Sequence, residues 1–136
     1  MKILKIFTLF FSLITFAVQA QPGKKTITLE AEGQPMLKFE NPVHDFGTII
    51  EGTQAVYEFT YTNTGKAPLV LISVIPPCSC TTPEWPKEAI LPGNSAKIKV
   101  TFDSKGKPGT FSKTIEVKHN GESGTEYITI KGIVGT

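Results

Sequence analysis

Hydrophobic and polar residues alternate with a period of two along most of the chain beyond residue 36, and Gly, Pro or Asn interrupts the alternation at short intervals. In AVYEFTY, Ala55, Tyr57, Phe59 and Tyr61 share one face while Val56, Glu58 and Thr60 take the other. AKIKVTF repeats the pattern, with Ala96, Ile98, Val100 and Phe102 inward and Lys97 and Lys99 outward. LVLISVI, from Leu69 to Ile75, is almost uninterruptedly apolar, which predicts a strand covered on both sides or a central strand near a loop. FSKTIEV from Phe111 and YITIKGIV from Tyr127 add two more strands. Lys113 breaks the first of these patterns and predicts a bulge or an edge position there.

The breaks between these runs have turn chemistry. Asn63-Thr64-Gly65 is a turn former, and Pro92-Gly93-Asn94 places Pro and Gly at the central positions of a type II turn. Asn120-Gly121 is a hairpin signal. No segment beyond residue 20 carries a helical stripe. The expected fold is all-β, an immunoglobulin-like β-sandwich of about seven antiparallel strands over residues 37–136. Residues 21–36 read as a flexible N-terminal arm with a brief strand at Thr26 to Glu30.

The first twenty residues follow a different rule. Lys2 and Lys5 precede an apolar run from Ile6 to Val18 that ends on Val18-Gln19-Ala20, the order of a signal peptide over residues 1–20. The run is shorter than the roughly 20 residues that cross a bilayer, so cleavage and export to the periplasm or the extracellular space are expected, with no transmembrane segment left afterwards. Lys2 and Lys5 also account for the formal net charge of +2, leaving 12 lysines against 12 Asp and Glu and no arginine. A nucleic-acid binder would show a basic stripe with Arg to grip phosphates and guanine edges, so nucleic acid is not an expected partner.

HDFGTIIEG from His44, FTYTNTGKAPL from Phe59, the Cys-x-Cys-Thr at Cys78 to Thr81, LPGNSAKIKVTFDS from Leu91 and the closing YITIKGIV form an ordered set of motifs. Together they resemble the bacterial domain-of-unknown-function family 1573, over roughly Lys38 to Val134. The resemblance implies a secreted or periplasmic immunoglobulin-like sandwich, related in form to modules of pilus chaperones and ciliary proteins, and it implies no particular biochemical activity. The family usually has Gly between its two cysteines, where this chain has Ser79. If that position requires a positive φ, Ser79 adopts it only at a cost.

Few residues offer chemistry. Asp45-Phe46-Gly47 spells a kinase metal-binding triplet, but the chain lacks the other kinase motifs; Phe46 is expected to anchor the core and Gly47 to turn the chain. His44 and His119 each sit beside a turn without a sequence-local nucleophile or orienting acid. Glu84 and Glu88 flank Trp85, and Trp85 either caps the end of the sandwich or presents a contact surface.

That leaves Cys78 and Cys80, the only two cysteines. In an extended strand their Cα atoms would lie about 6.6 Å apart, near the upper limit for a disulfide, so bridging requires a tighter bend. A bridge closing so small a loop stabilises by only about 1.6 kcal/mol before strain. The pair therefore reads as a weak structural disulfide, an exchangeable redox disulfide, a two-thiolate site for a soft ion such as Cu(I), or two small side chains filling the end of the sandwich.

No acid, base and nucleophile are assembled, so the expected role is not enzymatic. The chain reads as a monomeric module that binds a protein or cell-envelope component through loops or an exposed strand edge, with no cofactor. The alternative is a copper(I)-binding or thiol-redox accessory protein built on Cys78 and Cys80.

Overall fold

Alternating side chains dictate strands, and a face of large apolar groups on each strand must be covered by a second sheet. The computed structural model describes residues 33–136. It contains β1 (Leu37–Phe39), β2 (Val43–Ile50), β3 (Gln54–Asn63), β4 (Leu71–Ile75), β5 (Thr81–Glu84), β6 (Ser95–Asp103), β7 (Gly109–His119) and β8 (Thr125–Gly135). The strands form two four-stranded sheets, ordered β1-β3-β6-β5 and β2-β8-β7-β4. The first encloses Phe59, Tyr61, Ile98, Val100 and Phe102; the second meets them with Leu71, Val74, Phe111, Ile115, Val117, Ile128, Ile130 and Val134. Phe102 and Phe111 stack across the interface at 4.2 Å between ring centroids. The described residues contain no helix, and hence none long and apolar enough to cross a membrane.

The sandwich has eight strands where about seven were expected, and one pairing is not antiparallel. β2 runs parallel to β8, the first strand of its sheet lying beside the last in sequence. Gly47, expected to turn the chain, lies inside β2 with φ of 65°, where the register with β8 shifts between Asp45 and Thr48. Its N–H donates to the Asp45 carboxylate at 2.8 Å, so the bulge carries its own support. Opposite it, a Cβ added to Gly132 would lie 2.7 Å from the Gly47 carbonyl oxygen, so the absent side chain of Gly132 makes room for the bulge. Phe46 packs against the core as expected, though only half-buried.

β4 corrects the reading of LVLISVI. It is an edge strand, five residues long, with Leu71 and Val74 buried but Ile72 65% and Ile75 43% exposed. Lys113 is in regular register with Ile130, without a bulge. However, β4 pairs with β7 only from Glu116 to His119, so the Lys113 segment of β7 is paired on one side only. An inward-phase lysine on such an open flank can still reach water and discourages a foreign strand from pairing there.

The turn at Pro92-Gly93 has the expected type II signature: Gly93 φ is 82° and Asn94 N–H donates to Leu91 O at 3.0 Å. Asn120-Gly121 does not make a two-residue hairpin. The chain turns over Gly121 to Gly124, and Asn120 instead reaches β4's approach, accepting from Val70 N–H at 2.8 Å and donating to Pro68 O at 3.1 Å. Asn63 is fully buried and satisfied, donating to Ala67 O and Ile90 O and accepting from Met36 and Gly65 N–H. Gln34 and Met36 also accept backbone bonds from Lys66 and Thr64, so the end of the expected N-terminal arm is tied to this turn. The expected signal peptide and the expected brief strand at Thr26 to Glu30 lie outside the described residues.

Candidate functional site around the Cys-x-Cys turn

β4 ends at Ile75, and Pro76-Pro77 cannot extend its ladder because neither residue has an N–H to donate. The chain crosses to the other sheet and enters β5 through a turn in which Thr81 N–H donates to Cys78 O at 3.3 Å. This is the tighter bend that a bridge requires. It brings the Cα atoms of Cys78 and Cys80 to 5.3 Å, and the two sulfurs are joined. Among the described residues only glycines have positive φ, so Ser79 occupies the middle of the turn in an ordinary conformation and glycine is not required.

The two cysteines differ in surroundings. Cys78 is half-buried at the rim, whereas Cys80 is 8% exposed within the core. Cys80 O accepts from Asp103 N–H at 2.8 Å, which fixes the turn to β6. The Thr81 hydroxyl lies 3.6 Å from the Cys78 sulfur and 3.7 Å from the Cys80 sulfur, in a residue only 1% exposed. Sequence reasoning missed this hydroxyl, although its signal was present as the Thr directly after the second cysteine. As joined sulfurs the pair offers no thiolate to copper; a Cu(I) site would start from the reduced form. Among the described residues no three His, Cys, Asp or Glu side chains cluster as a metal site.

Trp85 directly follows β5, half-buried and packed against the core, with the Lys87 ammonium 3.1 Å from its ring centroid. One face of the indole thus closes the sandwich and a cation lies over the ring. Glu84 pairs with Lys99 at 3.6 Å across β5 and β6, and Glu88 is exposed, so the two flanking carboxylates form no acid–base pair.

The histidines lie elsewhere. His44 stacks on Tyr57 at 3.6 Å between centroids and meets Phe46 edge-on, bridging the two sheets. Burial lowers its pKa below 6.5, partly offset by Asp45. His119 is 3% exposed and does have sequence-local partners: Ser123 Oγ lies 3.2 Å from Nε2 and donates to Glu126 at 3.0 Å. Its Nδ1 accepts from Gly121 N–H at 3.0 Å, which puts the neutral ring's proton on Nε2. Nε2 then donates to Ser123, and Ser123 donates to Glu126. In this arrangement His119 cannot take the serine proton, so the trio is a hydrogen-bonded brace of the β7–β8 turn and not a nucleophile with its base. Burial lowers the His119 pKa, with Glu126 acting in the opposite direction. The five-residue turn brings these groups together.

Residues 37–134 match the family described as a protein of unknown function, DUF1573. The chain belongs to that family. No curated protein matches it in sequence. Among solved structures it is similar to a Porphyromonas gingivalis protein of unknown function, at TM-score 0.66 and 19% identity, covering 79% of this chain and 50% of that one. It is also similar to the ASH/PapD-like domain 7 of human CEP192, at TM-score 0.58 and 12% identity, covering 75% of this chain and 87% of that one. A third similarity is to the Vibrio cholerae VesB protease, at TM-score 0.58 and 17% identity, covering 76% of this chain and 32% of that one. The family member described here therefore spans half the length of the first of these proteins and about a third of the protease. At such identities the likeness is one of fold.

Proposed function

We propose that this DUF1573 protein is an exported, non-enzymatic sandwich module that binds a protein or cell-envelope component on the outer face of the β2-β8-β7-β4 sheet. The observation that carries this reading is the set of large apolar side chains left exposed on that outer face. On the β2-β8-β7-β4 sheet, Val43 (51%), Ile75 (43%), Tyr127 (58%) and Ile133 (49%) are exposed. Tyr127, Glu116 and Ile75 lie in one row across three strands. The same face carries the ion pairs Asp45–Lys131 at 4.0 Å and Glu116–Lys118 at 3.8 Å, and the other sheet turns outward Val56 (47% exposed) beside Lys97–Glu58 at 3.3 Å and Lys99–Glu84 at 3.6 Å. Both faces carry paired charges, so what distinguishes the β2-β8-β7-β4 face is its four large apolar groups, one of them aromatic, and apolar groups within a polar rim suit a contact surface. Export is supported by the signal-peptide pattern of residues 1–20.

The test is a photo-crosslinking residue placed at position 127 or, as a control, at position 97 of the chain expressed in its own cells. Crosslinked product is expected from position 127 alone, in the envelope or secreted fraction, and is expected to be lost in an Ile75→Lys/Ile133→Lys variant whose circular dichroism is unchanged. Equal crosslinking from both faces, or none from either, overturns the reading.

A further inference from the structure

We propose that the Cys78–Cys80 bridge is an exchange site for dithiols, with Cys78 as the sulfur attacked and Cys80 as the sulfur released. This chemistry is independent of which outer face binds a partner.

Three features of the turn support it. The bridge is dispensable to the fold, because a loop closed across one intervening residue contributes only about 1.6 kcal/mol, and the turn is held independently by the bonds from Thr81 N–H to Cys78 O and from Asp103 N–H to Cys80 O. The bridge can therefore open and close without unfolding the domain. Access is one-sided, since Cys78 is half-buried at the rim and Cys80 is 8% exposed. An incoming thiolate must approach in line with the bond it breaks, and Cys78 is the residue nearer solvent. Finally, Thr81 is 1% exposed and its hydroxyl has the two sulfurs as its only hydrogen-bond partners among the described residues. Against a disulfide it donates a weak bond; against a thiolate at Cys80 it donates a charge-assisted one, which eases departure of that sulfur.

A thiolate of the dithiol forms a bond to Cys78 Sγ, the Cys78–Cys80 bond breaks, and its electron pair remains on Cys80 Sγ, stabilised by the Thr81 O–H. The second thiol of the dithiol, deprotonated by solvent, then attacks its own sulfur in the mixed disulfide and releases Cys78 as a thiolate. Both cysteines take up protons; the dithiol becomes a disulfide, and two electrons have moved to the Cys pair. A monothiol stalls at the first stage. The released Cys80 is tethered beside the mixed disulfide at high effective concentration and expels the monothiol again.

Purified oxidised protein, without denaturant, is treated with dithiothreitol, with reduced thioredoxin or with glutathione at equal thiol concentration, and thiols are counted by mass after alkylation. Both dithiols are expected to yield two thiols per chain with the circular dichroism unchanged, and glutathione to yield few. Faster reduction by thioredoxin than by dithiothreitol identifies the source of the dithiol as a protein, and the reverse identifies a small molecule. Alkylation of Cys78 in Cys80→Ser should be at least about tenfold faster than alkylation of Cys80 in Cys78→Ser. Thr81→Val should slow reduction about tenfold, the loss of one hydrogen bond to a charged group, and Thr81→Ser should restore it. Resistance to both dithiols in the folded state, faster alkylation at Cys80, or an unchanged rate in a folded Thr81→Val variant overturns the proposal.

Discussion

Tyr61 shows how much one buried polar atom can matter. Its side chain is 1% exposed and its hydroxyl has no hydrogen-bond partner among the described residues. Burial raises its pKa to about 12. The folded state therefore holds this proton where the unfolded chain, near 10, has released it. Stability from this group is complete below pH 10 and is lost as pH rises through about 12. Urea midpoints should fall across that window in the native protein and fall less in Tyr61→Phe. At neutral pH, Tyr61→Phe should equal the native stability or exceed it by about 1 kcal/mol, since it removes an unpaired hydroxyl without changing the ring. A loss of 2 kcal/mol or more, on the order of a missing buried hydrogen bond, would show that the hydroxyl has a partner in solution.

At the level of elements, β2 depends on a close fit between two glycines on neighbouring strands. Gly47 supplies the positive φ of the bulge, and Gly132 of β8 supplies space for its carbonyl. A Cβ on Gly132 would also meet the Phe111 ring at 3.0 Å. Gly132→Ala should destabilise the domain by about 1–3 kcal/mol, the usual range for overpacking against backbone, as measured by urea unfolding. A methyl at Gly93 meets nothing within 4 Å, so Gly93→Ala should suffer only from its φ of 82°. The bulge was not legible in HDFGTIIEG, because a Gly that turns a chain and a Gly that bulges within a strand look alike in sequence. The parallel partner, 85 to 86 residues away in the chain, is what distinguishes them.

Across the molecule, two histidines couple the fold to mild acid. His44 bridges the sheets against Tyr57, and His119 closes the β7–β8 turn with both ring nitrogens engaged. Burial lowers both pKa values below 6.5, against the opposing influence of Asp45 and Glu126. The unfolded chain takes up protons first as pH falls through 6.5. Stability is therefore whole above that value and declines below it. Unfolding midpoints should drop between pH 7.5 and 5.5, and a folded His119→Gln variant should show a shallower drop; a flat profile in the native protein would contradict the assignment.

The sequence by itself determined the sandwich, the family and most of the core, because period-two alternation leaves Phe59, Ile98, Phe102, Ile128 and their neighbours no stable place except between two sheets. It also sufficed for the Pro92-Gly93 turn, whose chemistry is wholly local. Only the tertiary structure decided whether an apolar strand is central or at an edge, and so left Ile72 and Ile75 of β4 exposed. It alone set Asn120 against Val70 and Ser123 against His119, since hydrogen-bond geometry depends on how the chain closes at each turn. At the cysteines the division is the same. Spacing shows that a bridge needs a bend, but the asymmetry of burial between Cys78 and Cys80 comes from the crossing between sheets, which leaves one residue at the rim and places the other in the core.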